Sequence, residues 1–221
     1  GPLHRHAARP GPACRAGLID PMGAARRRRR VGDPPTIVQQ ETTMIHLTPA
    51  DYTRQPWKNG RGTTVEMLRI DRDGQLVLRL SRASVVEDGP FSLFPGIERN
   101  LTVLSGPGFR LTGDGIDLRC DPLVPVAFPG DVPVTASETG GLPSDDFNVM
   151  TARHLAQPKV TLARNATLPT EGQLALYALG PCQMNGHALS RDDLVLTTGP
   201  VTLSGDGPVL VVRISGVDLL P

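Results

Sequence analysis

Residues 63–83 read TTVEMLRIDRDGQLVLRLSRA, two alternating segments joined by the turn sequence Asp71-Arg72-Asp73-Gly74. The glycine at the end of that turn supplies the positive φ that a tight connection between two strands requires. In the second segment Leu76, Leu78 and Leu80 recur at every second position, which is the spacing of one face of a β-strand. The stretch therefore predicts a β-hairpin.

The chain beyond Met44 continues in the same short-strand pattern. Turn sequences recur about every eight to twelve residues, a spacing typical of antiparallel sandwiches and barrels. The high content of Gly (24) and Pro (22) disfavours long helices. We expect strands at residues 100–104, 109–112, 116–120, 124–128, 132–137, 145–154, 174–179, 193–197, 201–203 and 209–214. The fold is therefore predicted to be all-β with little helix.

Residues 1–43 differ in composition from the rest of the chain. They hold eight arginines against three acidic residues, a net charge of +5, with few large apolar side chains. This composition predicts a disordered extension. The run of five arginines at 26–30 is alternatively a nucleic-acid contact or a targeting signal, but no aromatic residues are interleaved with it. The remaining residues, 15 basic and 19 acidic, are mildly acidic, which argues against a nucleic-acid-binding face there.

Cysteine and histidine content limits the class of protein further. Cys14, Cys120 and Cys182 are widely spaced without a CxxC pair, so neither a zinc knuckle nor a disulfide framework is predicted, and a reducing cytoplasm fits best. Beyond residue 43 the histidines, His46, His154 and His187, are scattered and form no HxH motif, so we expect no histidine-based metal site and no cofactor. We also expect neither a membrane span nor a secretory signal, because no apolar run has the required length or position.

Three polar and aromatic runs lie close together: WKNGRGTT at 57–64, RLSRAS at 79–84 and GPFSLFPGIER at 89–99. The first contains the single tryptophan of the chain. Its Asn59-Gly60-Arg61-Gly62 core lets the main chain approach a ligand closely, although a plain loop entering a strand is the simpler interpretation. The apolar run at 91–96 predicts either a wall over a cavity or a loop that plugs a barrel end.

The direction of Arg79 decides whether the second run belongs to a site. Arg79 and Ser81 share one strand face, and Leu78 and Leu80 share the other. If the leucines pack between sheets, Arg79 and Ser81 face outward, whereas a strand that lines a barrel would turn them toward its lumen. An inward arginine needs a carboxylate or an anionic ligand, because an unpaired buried charge is costly.

A last polar cluster lies at 145–153. Asp146 and Asn148 are two residues apart and therefore share a strand face. The amide of Asn148 is suited to give a ligand both a donor and an acceptor, and Asp146 is suited to orient an arginine. Capping where a loop enters a strand is the alternative explanation for these residue types.

Taken together, these runs resemble the HutD/Ves family of the cupin superfamily. The resemblance covers residues 44–221 and departs from the family where Arg61 stands in place of a common glycine. The motifs that carry it are Trp57-x-Asn59-Gly60-x-Gly62-x-Thr64, Arg79-x-Ser81-x-Ala83, Gly89-Pro90-Phe91-Ser92-x-Phe94-Pro95-Gly96-x-x-Arg99, Phe128-x-Gly130-Asp131 and Asp146-Phe147-Asn148-Val149-Met150.

The resemblance implies a metal-free bicupin, with two packed antiparallel β-barrel or jelly-roll halves at about 44–152 and 153–221. It implies no established catalytic activity and no catalytic residue. It also implies one ligand-binding pocket, and we add Arg61, the position that departs from the family, to the predicted pocket residues. The predicted pocket residues are Trp57, Asn59, Arg61, Arg79, Ser81, Phe91, Ser92, Arg99, Asp146 and Asn148.

Members of this family are linked to bacterial histidine utilisation or stress response. We therefore expect a cytoplasmic regulatory protein that binds a small carboxylate metabolite of the formylglutamate or urocanate type, and a homodimer is compatible with the sequence. One alternative is a metal-independent cupin isomerase or hydrolase, for which His154 and Asp146 are the candidate acid and base. Another is an interaction module that uses the arginine-rich extension on nucleic acid.

Overall fold

The computed structural model describes residues 43–57, 62–169 and 171–220. Two predicted pocket residues, Asn59 and Arg61, lie outside these ranges, as does the arginine-rich segment up to residue 42. Within the described ranges all regular structure is β, which confirms the predicted fold class. No helix there is long and apolar enough to cross a membrane.

Strands follow one another with short connections along the described chain. In chain order they are β1 (Met44–Leu47), β2 (Thr53–Pro56), β3 (Thr63–Arg72), β4 (Gln75–Val85), β5 (Gly89–Pro90), β6 (Ile97–Ser105), β7 (Phe109–Gly113), β8 (Ile116–Cys120), β9 (Val126–Pro129), β10 (Val134–Ser137), β11 (Ser144–Ala152), β12 (Lys159–Ala163), β13 (Thr167–Leu168), β14 (Gln173–Ala178), β15 (Cys182–Met184), β16 (His187–Leu189), β17 (Leu194–Thr197), β18 (Val201–Ser204) and β19 (Val209–Ile214).

The predicted hairpin is formed by β3 and β4. Its connecting residues Asp73 and Gly74 have φ values of 51° and 74°. Positive φ at both central residues marks a type I′ turn, whose twist matches that of two antiparallel strands. The hairpin prediction is therefore confirmed, and the turn is the last two residues of the four-residue sequence that predicted it.

Four antiparallel sheets hold these strands. A six-stranded sheet has the order β2-β3-β4-β11-β6-β9, and a four-stranded sheet the order β5-β10-β7-β8. A five-stranded sheet has the order β1-β17-β14-β19-β12, and a second four-stranded sheet the order β13-β18-β15-β16. β1 thus joins the sheet built from the last third of the chain, with Met44 paired to Thr197.

The six-stranded sheet is covered on both of its faces. One face and the five-stranded sheet share a buried apolar cluster, in which the rings of Phe147 and Tyr177 lie 4.9 Å apart. The other face packs on the first four-stranded sheet around Leu101, Phe109 and Phe128. A third cluster fills the space between the five-stranded sheet and the second four-stranded sheet.

A polar contact accompanies the apolar packing of the two large sheets. Arg82 on β4 donates from Nη1 to the Tyr177 hydroxyl on β14 at 2.9 Å, and the same nitrogen lies 2.8 Å from Asp192 Oδ1. The Tyr177 hydroxyl donates in turn to Asp192 Oδ1 at 2.7 Å. The three side chains therefore satisfy one another at the edge of the shared core.

Candidate functional site

A cavity of about 790 Å³ opens on the side of the six-stranded sheet that faces β5 and β10. The structure places eight of the ten predicted pocket residues in its wall, and the other two, Asn59 and Arg61, lie outside the described residues. The eight are Trp57, Arg79, Ser81, Phe91, Ser92, Arg99, Asp146 and Asn148. Their location is observed, whereas their role in binding stays a prediction.

Alternation along β4 brings Arg79 and Ser81 to the cavity. Leu78 and Leu80, on the opposite strand face, are fully buried in the cluster shared with the five-stranded sheet. The sequence left two alternatives open, leucines between sheets or polar residues toward a lumen. The leucines do pack between sheets, but Arg79 and Ser81 face the cavity and not the outside, because the six-stranded sheet has a packing partner on each face.

Arg99 is a buried cation of the cavity wall, with only 7% of its surface exposed. Its guanidinium carbon is 5.2, 5.4 and 5.1 Å from the ring centroids of Phe91, Phe94 and Phe128, respectively. Such ring faces attract a cation electrostatically. Burial lowers the pKa of Arg99 to about 10, so the side chain still carries its charge at neutral pH.

Asn148 and Asp146 on β11 fix one edge of this guanidinium. Arg99 donates from Nη2 to Asn148 Oδ1 at 2.7 Å, and Asn148 donates from Nδ2 to Asp146 Oδ1. The amide therefore orients the arginine, and the carboxyl group orients the amide. The sequence had predicted that the carboxylate would orient an arginine directly.

The two other nitrogens of the guanidinium are less well satisfied. Arg99 Nη1 is 3.5 Å from the Ser92 carbonyl oxygen, the outer limit of a hydrogen bond. Arg99 Nε is buried and has no hydrogen-bond partner among the described residues. Buried donors of this kind are rare in folded proteins, and each one calls for an explanation.

Asp146 is the most buried titratable group of the cavity, at 1% exposure. Burial raises its pKa to about 7, although the charge of Arg99 acts in the opposite direction. A carboxyl group with this pKa exchanges its proton near neutral pH, unlike an ordinary aspartate.

Arg79 already has a carboxylate partner within the protein. Its Nε donates to Glu66 Oε2 at 2.6 Å, and both side chains are about one-eighth exposed. Glu66 lies opposite Ser81 in the β3–β4 pairing, directly before an irregularity in the register. Sequence reasoning missed Glu66, because the irregularity breaks the simple alternation of β3.

Trp57 is held against the cavity by contacts with Gly62 and with Thr64 at the start of β3. Its Nε1 donates to Thr64 Oγ1 at 2.9 Å, and its backbone nitrogen donates to the Gly62 carbonyl at 2.8 Å. A Cβ atom on Gly62 would lie 2.8 Å from the indole ring. Glycine at this position therefore lets the ring pack flat on the backbone.

The apolar run at 91–96 forms a cavity wall, one of the two predicted alternatives. Phe94 donates its backbone N–H to the Gly130 carbonyl at 2.7 Å, and Gly130 donates to the Ile97 carbonyl at 2.7 Å. A Cβ atom on Gly130 would lie 2.8 Å from that Ile97 oxygen, so the close approach requires glycine. Leu93 points away from the cavity wall and is 52% exposed.

Two further lining residues were within reach of the sequence pattern. Met150 follows Asp146 and Asn148 at the same two-residue spacing, and Phe94 belongs to a run already singled out. Gln55 and Pro56 on β2 also line the cavity, and no pattern indicates them because their strand has no apolar alternation.

Other candidates for chemistry lie away from the cavity. His154 is exposed and is not part of the cavity wall. Among the described residues no group of three or more His, Cys, Asp or Glu side chains is arranged to hold a metal ion. Cys120 is fully buried and burial raises its pKa to about 12, so its thiol stays protonated at neutral pH.

Known proteins share both the sequence pattern and the architecture. An uncharacterized 21.2 kDa protein in the hutC 3′ region of Pseudomonas putida is 43% identical over 111 residues. That alignment covers 48% of this chain, and the chain spans 57% of the relative's length.

Three solved structures extend the comparison. A conserved protein of unknown function from Pseudomonas aeruginosa PAO1 is 29% identical with a TM-score of 0.68, and HutD from Pseudomonas fluorescens SBW25 is 28% identical with a TM-score of 0.68. Each match covers 79% of this chain and 100% of the other. Ylba from Escherichia coli, 12% identical with a TM-score of 0.54 over 81% of this chain and 93% of its own, shares the fold alone.

The family model named HutD matches residues 49–210, which include the whole described cavity wall. The all-β fold that the sequence resemblance implied is confirmed by these structural relatives together with the strand content. On this evidence the chain belongs to the HutD family.

Proposed function

We propose that this protein binds the carboxylate of a small metabolite at Arg99 and regulates histidine utilisation in the cytoplasm without catalysing one of its steps. The observation that carries the proposal is the guanidinium of Arg99, a buried cation whose Nε lacks a partner in the described wall of the cavity. A ligand carboxylate oxygen that accepts from Nε would satisfy this donor through a charge-assisted hydrogen bond, the kind of contact that arginine makes with carboxylates.

The cavity suits a small ligand in size and in lining. Its volume of about 790 Å³ lies within the usual range for metabolite sites. The aromatic rings around Arg99 exclude water, which strengthens a charge-assisted hydrogen bond. Arg79 is a weaker candidate for the first contact, because its Nε is already bonded to Glu66.

The pathway part of the proposal rests on the relatives. The P. putida protein is described by its position beside hutC, and the P. fluorescens structure is named HutD. We take formylglutamate and urocanate as the first ligands to test. We also propose that the fold is a metal-free bicupin. One half consists of the six-stranded sheet and the first four-stranded sheet, which together contain β2 to β11 and the cavity, and the other half consists of the two remaining sheets.

Binding is measurable through the only tryptophan, because Trp57 lines the cavity. We expect N-formyl-L-glutamate to change the emission of Trp57, and calorimetry to give the affinity for this compound and for urocanate. Arg99→Met should weaken binding about 100-fold, the effect of losing one charge-assisted hydrogen bond.

Arg119→Met is the matched control. Arg119 lies on β8, is 44% exposed at its side chain and pairs with Asp121 on the surface. This variant should bind like the wild type. Absence of binding by both compounds at millimolar concentration would refute the ligand class, and equal affinity in Arg99→Met would refute the assigned contact.

One observation favours a second candidate function, a metal-independent isomerase or hydrolase. Asp146 is a buried carboxyl group of the cavity with a pKa of about 7, which suits a general acid or base at neutral pH. Proton NMR of the protein incubated with either compound would test this function. Conversion of a compound by the wild type and its loss in Asp146→Asn would support an enzyme over a regulator.

A further inference from the structure

We propose that the cavity takes up one proton with each carboxylate it binds, and that Asp146 holds this proton in the complex. The inference rests on the proposed function and adds one property to it. Binding of the anionic ligand is coupled to uptake of one proton by the protein. Affinity for a carboxylate then depends on pH in a range where the ligand itself does not titrate.

Arg99 and Asp146 are one cation and one carboxyl group that share a buried polar cluster. Asp146, Asn148 and Arg99 form one hydrogen-bonded series, and their exposures are 1%, 5% and 7%. Without ligand, the charge of Arg99 is the strongest influence favouring an ionised Asp146. A ligand carboxylate at Nε would place a second negative charge against the same guanidinium.

One buried cation does not compensate two buried anions. Taking a charge out of water costs several kcal/mol unless it is paired, and like charges at one site push one pKa upward. Arg79 is the other cation in the described wall, and it is paired with Glu66. Protonation of Asp146 removes the excess charge without any movement of the backbone.

Other charged or titratable groups surround Asp146 on several strands. They leave the charge balance unchanged, because the two other cations among them, Arg79 and Arg82, already have carboxylate partners in Glu66 and Asp192. Those that act on Asp146 or Arg99, or line the cavity, are Arg79 and Arg82 on β4, Asp145 on β11, Cys120 on β8, and Glu87 and Asp88 before β5. Glu66 on β3 is the partner of Arg79.

Asp146 can be protonated without losing its hydrogen bond with the Asn148 amide. Its Oδ1 accepts from the Asn148 amide, so the proton goes to Oδ2. A pKa near neutrality in the free protein means that the group is part-protonated before the ligand arrives. Ligand binding then completes the protonation, so the uptake at pH 7 is about half a proton and approaches one at higher pH.

The test is calorimetry of N-formyl-L-glutamate with the wild type, in a series of buffers that differ in ionisation enthalpy. Its carboxyl groups titrate at about pH 4, far from the range measured. We expect the observed enthalpy to vary with the buffer and to report uptake at pH 7 and pH 8. The affinity should fall about fivefold from pH 7 to pH 8.

Two variants assign the proton. Asp146→Asn imitates the protonated carboxyl group, so it should bind with affinity independent of pH and without uptake. Asp117→Asn changes an exposed aspartate of β8 that pairs with Arg110 and should keep the uptake of the wild type.

The outcomes separate this inference from the proposed function. Binding by the wild type without proton uptake overturns the inference alone, and so does uptake that persists in a folded Asp146→Asn. Absence of binding overturns the proposed function and the inference with it. The wild-type buffer series is decisive even if Asp146→Asn does not fold.

Discussion

Replacement of Asp146 by asparagine should stabilise the ligand-free protein, and should do so only above acidic pH. Burial raises the pKa of this carboxyl group from 3.8 to about 7. Between these two values the unfolded chain loses the proton while the native protein keeps it. The free energy of unfolding of the wild type therefore falls as pH rises, by about 1.4 kcal/mol per pH unit from this group alone.

The expected difference in the free energy of unfolding follows from the width of the pH interval between the two pKa values. About three pH units give a difference of about 4 kcal/mol between Asp146→Asn and the wild type at pH 8, and almost none at pH 4. Asparagine keeps an oxygen that accepts from the Asn148 amide, so the local hydrogen bond survives. The difference should rise through the window and become constant above pH 7.

Urea unfolding followed by circular dichroism at half-unit steps from pH 4.5 to pH 8.5 measures this difference. Asp117→Asn is the control and should stay parallel to the wild type over the same range, because Arg110 holds the pKa of Asp117 below its usual value. A difference between Asp146→Asn and the wild type that is constant with pH, or that shrinks as pH rises, would refute the reasoning.

Three further outcomes are expected from other parts of the structure. Phe147→Ala should lower the free energy of unfolding by about 3–5 kcal/mol, because it empties a fully buried site between the two large sheets, whereas Leu93→Ala at an exposed site should change it by less than about 0.5 kcal/mol in the same urea assay. Gly62→Ala should displace the indole ring and shift the emission of Trp57 to longer wavelength, while Gly89→Ala, whose Cβ meets nothing within 4 Å, should leave the emission unchanged. Cys120 should resist alkylation at pH 8 in the native protein and react fully in urea, since a pKa of about 12 instead of 9.0 leaves about a thousandfold less thiolate; peptide mapping that finds it labelled in the native state would contradict this.

Strands with a buried apolar face were accessible from the sequence. β8 and β19 begin and end at the predicted residues, Ile116–Cys120 and Val209–Ile214. β2 and β12 were missed, because they lie at sheet edges and bury few side chains. Their position is determined by backbone pairing, which leaves little trace in hydrophobic spacing.

Only some features of the candidate site could be predicted from the sequence. The shared face of Asp146 and Asn148 follows from two-residue spacing. The contact between Asn148 and Arg99 does not, because it requires β11 to lie beside β6, far away in the chain. Glu66 reaches Arg79 through a register irregularity that no local pattern indicated. Long-range pairing and irregular register are thus the two sources of what the sequence left undetermined.

The pairing of β1 with β17 has a consequence for how the chain is made. Met44–Leu47 leaves the ribosome long before its partner Leu194–Thr197. β1 therefore has no partner until β17 has been synthesised, and the outer edge of β17 is open until the two strands pair. A chain shortened to begin at residue 49, where the family match starts, would keep that edge open permanently. An uncovered edge of this kind can pair with another chain, so such a truncation should favour aggregation during expression.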